Sequence, residues 1–265
     1  SHSPYFVDVR NFDMIRVVRK NSNSQEAGGT QQADLKVEIK SATLEEVAKR
    51  LGEAHENQGF SASTLAPRLI TLLNPYVNEA FFADFVVIVE GEEDRAMLLG
   101  AMQYYDNARD LEEKGVSIIP VSGKTNIDRL KIILDKMAIP NYVIFDIDKE
   151  GGKDWENHKK TNNALLRLLE GTCDNFDQRI ESDYAMFKPD FRAAVRKEVG
   201  ETKWDGIRDE AAKFYGYTEP SQCDKNPKVI GDLFKKLNEK NLPLPESLKK
   251  CLDAIVKKVG KNCRV

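Results

Sequence analysis

The chain changes its hydrophobic rhythm near residue 84. Before that point the apolar positions are scattered. Residues 5–9 and 14–19 read as short strands, 21–32 as a polar hairpin loop and 33–39 as a returning strand. Residues 41–52 and 63–73 have helical spacing, with Ser41 or Thr43 as N-cap of the first and Leu65, Leu69 and Leu72 on one face of the second. From Asp84 onward, continuous Val/Ile runs alternate with amphipathic stretches: strand 84–90, helix 92–105, strand 115–121, helix 126–137, strand 141–147, helix 155–170. Buried-looking strands joined through helices predict a parallel sheet with right-handed crossovers. Residues 177–187 read as one further strand. Beyond Pro189 the pattern is helical over 190–199, 203–215, 227–239 and 245–259, with breaks at Gly200, Gly216–Pro227, Pro243 and Pro245. The fold class is therefore α/β, with a parallel sheet flanked by helices over 81–188, a small helical domain over 189–265 and a β-containing segment over 1–80.

Two of the apolar runs end in acid. Phe85-Val86-Val87-Ile88-Val89 stops at Glu90, with Asp94 four residues on, and Tyr142-Val143-Ile144-Phe145 stops at Asp146-Ile147-Asp148. In an open parallel sheet, ligands sit at the C-terminal strand ends. Spacing of two on a strand end predicts that Asp146 and Asp148 share a face. Clustered carboxylates repel unless a cation or a proton neutralises them. The set thus points to a hard divalent ion such as Mg²⁺, and a pair of ions roughly 3.5–4 Å apart is the arrangement that cleaves phosphodiesters. Taken singly, each acid could equally be a solvated loop residue or a helix cap; the matched pair of strand ends is what favours a site.

Composition narrows the picture. With 265 residues, 41% hydrophobic, 31% charged and a formal net charge of −3, the chain lacks a globally basic footprint for nucleic acid. No apolar run approaches the roughly 20 residues of a membrane span, and no signal peptide pattern is present. Cys173, Cys223, Cys251 and Cys263 form no C-x-x-C pair, so free thiols and a cytoplasmic setting are expected. Ser122-Gly123-Lys124-Thr125 sits where a P-loop would, but Ile118 stands where that motif needs its first glycine. Gly123 is read instead as a tight turn near the acids, with Lys124 near the phosphates or exposed. His55 and His158 fall on polar helix faces and read as surface groups.

Glu90-Gly91-Glu92-Glu93-Asp94 and Asp146-Ile147-Asp148 resemble the signature of topoisomerase–primase (Toprim) domains, in which a Glu closes the first strand and a D-x-D the third. The segment from Ser1 to Val7 resembles the switch-histidine region of ABC-type ATPase domains, with His2 as that histidine. Phe81-Phe82-Ala83-Asp84 and Val121-Ser122-Gly123-Lys124 add a likeness to the OLD (overcoming lysogenisation defect) family of ATP-dependent nucleases. That resemblance implies a Toprim catalytic domain at 81–188, preceded at 1–80 by the end of an ATPase domain. It implies a Mg²⁺ (or Mn²⁺ or Ca²⁺) DNA nuclease, with two ions on Glu90, Asp94, Asp146, Asp148 and Glu181 of Glu181-Ser182-Asp183. It further implies a charge-steadying lysine before a proline: Lys225, with Lys228 as the second choice. Homo-oligomerisation through the ATPase domain and a helicase partner in a phage-defence system would follow. A Toprim scaffold that binds DNA or protein without cleaving is the alternative. The motif's place on the third strand, followed by Lys149 and Glu150, argues against a haloacid-dehalogenase phosphatase.

Overall fold

The computed structural model describes residues 3–22, 35–56, 59–240 and 242–262. His2 and most of the expected 21–32 loop lie outside these. The first expected strand is instead two 3₁₀ segments, Pro4–Phe6 and Val9–Met14. Pro4 at the first position favours the turn, and the Asp8 side chain accepts from the Arg10 N–H and so caps the second segment. Strands β1 (Val17–Ser22) and β2 (Leu35–Lys40) form an antiparallel ribbon. Helix α1 (Leu44–Ala54) starts on a Thr43/Glu46 capping box, which settles the N-cap on Thr43. Helix α2 (Ala62–Leu72) starts on Ser61.

The central sheet holds β3 (Phe85–Val89), β4 (Val116–Pro120), β5 (Asn141–Asp146), β6 (Arg179–Ile180) and β7 (Tyr184–Phe187) in the order β4-β3-β5-β7-β6. The pairs β3/β4, β3/β5 and β5/β7 are parallel, and only β6 runs antiparallel. The expected single strand at 177–187 is thus a hairpin, β6 turning back into β7 through Glu181-Ser182-Asp183. Strand alternation sends Val86, Ile88, Val143 and Phe145 to one face, where they pack with α4 (Ile127–Lys136), α5 (Trp155–Leu168) and α1. Phe85, Val87, Val89, Tyr142 and Ile144 point to the other face, covered by α3 (Glu92–Met102), α6 (Phe191–Val199), α8 (Pro227–Glu239) and α9 (Glu246–Asn262). Helix α7 (Glu201–Tyr215) adds Trp204 to that second core. Residues before 80 and after 189 therefore share buried cores with the sheet.

Glycines set the closest approach on this second face. A Cβ on Gly100 of α3 would stand 2.7 Å from Ile230 Cγ2 and 2.8 Å from the Gly231 nitrogen of α8. The first face is tied down by polar contacts as well: Asp128 on α4 is buried and takes His55 Nε2 at 2.8 Å and its neighbour's N–H, from Arg129, at 2.6 Å. His55 is thus an inter-helix partner rather than a surface group. Among the described residues Cys173, Cys223 and Cys251 are free thiols, and no helix is long and apolar enough to cross a membrane.

Candidate active site

All four parallel strands end at one edge, and the segment after each contributes a charged group there. After β3, Glu90 sits on the bend just past the strand and Asp94 in the first turn of α3. The Gly91 N–H donates to Asp94 Oδ2 at 2.9 Å, half of a capping box, which fixes the aspartate against the strand end. Asp146 is the last residue of β5, and Asp148 stands two residues on. Asp146 Oδ1 accepts the Phe191 N–H at 2.9 Å, from the first residue of α6. The residue before it, Asp190, caps α6 by accepting the Ala193 N–H at 2.7 Å. Asp190 was not among the acids singled out in the sequence. Its only sequence signal is an Asp placed between a proline and an amphipathic run, an ordinary N-cap signature.

The expectation that Asp146 and Asp148 share a face does not hold. Asp148 has φ +70°, a left-handed conformation rarely taken outside glycine, and its N–H donates to Pro189 O at 2.8 Å. Strand alternation ends at Asp146, and the side chain of Asp148 turns toward the α4/α5 side of the edge. There Lys124 Nζ binds Asp148 Oδ2, and His158 Nδ1, from the first turn of α5, lies 2.9 Å from the same oxygen. Lys124, which the sequence left between a phosphate role and simple exposure, is 6% exposed. His158 is likewise a member of the site.

The acids divide accordingly. Burial first, and then Asp94, Glu90 and Asp190, push the Asp146 carboxyl well above the usual carboxylate range. Burial, with Glu90, Glu93 and Asp190 adding to it against the Gly91 N–H, raises Asp94 to about 7. Burial also raises Glu90, and Asp148 adds to this, while Lys124 and His158 oppose it. Glu90 thus faces both halves. Its Oε2 is inaccessible to water and has no hydrogen-bond partner, a position that costs free energy unless a proton or a cation occupies it. Hard oxygen donors, buried and unneutralised, suit a divalent ion of the Mg²⁺ type. Among the described residues no three His, Cys, Asp or Glu side chains are grouped closely enough, as they stand, to hold a metal ion.

Two predicted residues need separate mention. Glu181 lies in the β6–β7 turn, ahead of Tyr184, which pairs with Val143, whereas Asp146, three residues further along β5, pairs with Phe187. Glu181 is therefore at the opposite end of the sheet from the other acids. It lines a cleft of about 650 Å³ with Lys250, Lys257 and Lys261 of α9, and the structure does not bring it to the cluster. Lys225 ends a 3₁₀ turn (Pro220–Lys225) that packs on α3. Its neighbour Asp224 is buried and held by Arg192 at 2.7 Å, and Arg192 also pairs with Glu93 at 3.1 Å. That ion-pair chain ties the Lys225 segment to the turn carrying Asp94. Lys225 itself is exposed, while Lys228 is engaged by Asp232.

Residues 81–148 match the model of the overcoming lysogenization defect protein-like Toprim domain. The match spans Glu90, Asp94, Lys124, Asp146 and Asp148, and it stops short of His158, Glu181, Asp190 and Lys225. Among solved structures, the C-terminal region of the Burkholderia pseudomallei OLD protein is 20% identical, covering 67% of this chain and 99% of that one at a TM-score of 0.43. The C-terminal region of the Xanthomonas campestris pv. campestris OLD protein, phased with mercury, is 16% identical, covering 69% and 100% at a TM-score of 0.44. No curated protein matches. The assignment rests on the family match and on the parallel sheet with acid at the matched strand ends. Residues 81–148 of this chain are a Toprim domain of the OLD-like family.

Proposed function

We propose that the chain is a divalent-metal-dependent DNA nuclease. The observation that carries the reading is the group Glu90, Asp94 and Asp146: carboxylates raised by burial and by one another, with one oxygen orphaned, at the C-terminal edge of a Toprim sheet. Glu90, Asp94 and Asp146 would hold the ion, with Asp190 close by. The Gly91 and Phe191 N–H groups each occupy one oxygen of Asp94 and Asp146 and so aim the other. When bound, the ion supplies an activated water and a positive charge at the phosphate.

The chain's own residues do the rest. Metal binding requires the acids to give up their protons, so the raised carboxyls couple occupancy to pH. Lys225, exposed and set beside the Asp224–Arg192–Glu93 chain, offsets charge that develops on the phosphate. Lys124 and His158 keep Asp148 fixed. The negative formal charge of the whole chain makes a metal, rather than a basic surface, the attraction for a DNA backbone. Control of cleavage by an ATPase domain belongs to the same reading through the family likeness.

Nicking of supercoiled plasmid in Mg²⁺ or Mn²⁺, with a chelator control, tests the proposal. Glu90→Ala and Asp146→Ala are expected to lower the rate by at least about 100-fold, as loss of a metal ligand does. Wild-type rates in both variants would refute it. DNA binding with no cleavage in any divalent ion would favour a non-cleaving scaffold instead.

A further inference from the structure

We propose that Lys124 is a built-in cation of the acidic site, stationed with His158 on Asp148, so that this chain binds one divalent ion where a paired arrangement would take two. The inference rests on the nuclease reading of the same site and deepens it by assigning its ion count.

The backbone makes the placement of Lys124 deliberate. Gly123 has φ +122°, a conformation that L side chains rarely adopt. This turn directs the Gly123 N–H to Glu90 O at 3.0 Å and the Lys124 N–H toward the Glu90 carboxylate. The lysine side chain then runs inward and ends on Asp148 Oδ2, with 6% of its surface exposed. Lysines are almost never buried to this degree unless paired. Asp148 meets it halfway, because its own left-handed backbone takes the carboxylate off the face used by Asp146. His158 Nδ1, 2.9 Å from the same oxygen, completes the contact from α5.

The edge of the sheet is therefore split by charge. On the α4/α5 side, Asp148 is already matched by a fixed ammonium. On the α3/α6 side, Asp94, Asp146 and Asp190 act on one another, and Arg192, which also feels Asp190, is engaged by Asp224 and Glu93. Glu90 stands at the boundary and feels both groups. Glu90, Asp94 and Asp146 would hold a first divalent ion in the half that Lys124 does not reach, where its charge would offset that of the acids. A second ion would have to take the oxygen that Lys124 and His158 share, and it would stand against an ammonium with nowhere to go but outward. The lysine gives Asp148 the positive charge that a second ion would otherwise bring to that carboxylate.

Counting Mn²⁺ bound to the wild-type chain by equilibrium dialysis and by its electron paramagnetic resonance signal tests the inference. One ion per chain is expected for wild type and for Lys124→Arg, and two for Lys124→Met. Two ions on the wild-type chain would overturn the role of Lys124 while leaving a metal-dependent nuclease intact. No ion on the wild-type chain would sink the nuclease reading as well. One ion on a folded Lys124→Met chain would also refute the proposal. Anomalous scattering from Mn²⁺-soaked wild-type crystals needs no variant and guards against a Lys124→Met chain that fails to fold. A peak among Glu90, Asp94 and Asp146, with Lys124 still on Asp148, supports the inference. A peak on Asp148 with the lysine displaced overturns it.

Discussion

Replacing Asp94 with Asn should stabilise the metal-free chain at neutral and higher pH. The folded chain keeps a proton on Asp94 up to about pH 7, whereas the carboxyl ordinarily titrates at 3.8. Between these values the folded state binds more protons than the unfolded state. Stability conferred by the protonated form is complete below 3.8 and declines as pH rises toward 7. Ionising a carboxyl displaced from 3.8 to about 7 costs about 4 kcal/mol. Solvent at the outer edge of this half-buried residue trims the figure to about 2–4 kcal/mol. For a chain of this size, that is a rise in Tm of roughly 5–15 °C for Asp94→Asn over wild type at pH 8. The amide oxygen still accepts the Gly91 N–H, so the helix start is preserved. Thermal unfolding followed by circular dichroism in a chelator, from pH 4.5 to 8.5, reads the difference: near zero at the acid end, growing to its full value above pH 7. Added Mn²⁺ should then raise wild type more than the variant, because only wild type offers the full ligand set. Parallel pH profiles, or a variant less stable than wild type at pH 8, would refute the reasoning.

Other consequences are as direct. Gly100→Ala forces a methyl to within 3 Å of α8 backbone and side chain and should cost about 2–3 kcal/mol in urea unfolding. Asp190→Asn keeps the α6 cap but removes a charge from the acid group; Mn²⁺ affinity measured by calorimetry should fall by about 10-fold. Glu181→Ala, at the other end of the sheet, should leave that affinity and plasmid nicking unchanged. Asp128→Ala leaves His55 Nε2 and the Arg129 N–H without their buried partner; a loss of about 2 kcal/mol is expected, with faster amide exchange in α1 and α4.

The sheet was legible because its strands are buried on both faces. Runs such as Phe85–Val89 have few other readings, and parallel strands must deliver their ends to one edge. That logic located Glu90, Asp94 and Asp146. It failed where direction depends on a single dihedral. Nothing in Asp146-Ile147-Asp148 announces that Asp148 takes φ +70°, and the period-2 rule therefore placed it on the wrong side of the edge. It failed again at 177–187, where a two-residue β6 reverses the chain; the turn leaves Glu181, which only the family likeness had offered as a ligand, at the other end of the sheet. His158 was hidden for a related reason. Its helix face is polar, and polar faces ordinarily meet water, but the first turn of α5 looks onto the acidic edge. Asp190 was invisible as a site residue because an N-cap aspartate and a ligand aspartate look the same in sequence.

The order of strands across the edge gives the site a direction. Reading from β4 through β3 and β5 to β7, the segments that follow contribute Lys124, then Glu90 with Asp94, then Asp146 and Asp148, then Asp190. Charge runs from a buried ammonium at one side to a group of carboxylates at the other. Parallel strands make this arrangement available, since each loop arrives at the same edge from a different position along it. The left-handed residue at Asp148 and the left-handed glycine at Gly123 do the local work. Between them they bring one carboxylate and one ammonium together on the α4/α5 side. A chain with regular alternation at Asp148 would instead add a fourth acid to Asp94, Asp146 and Asp190 and would need a second external cation to hold it there.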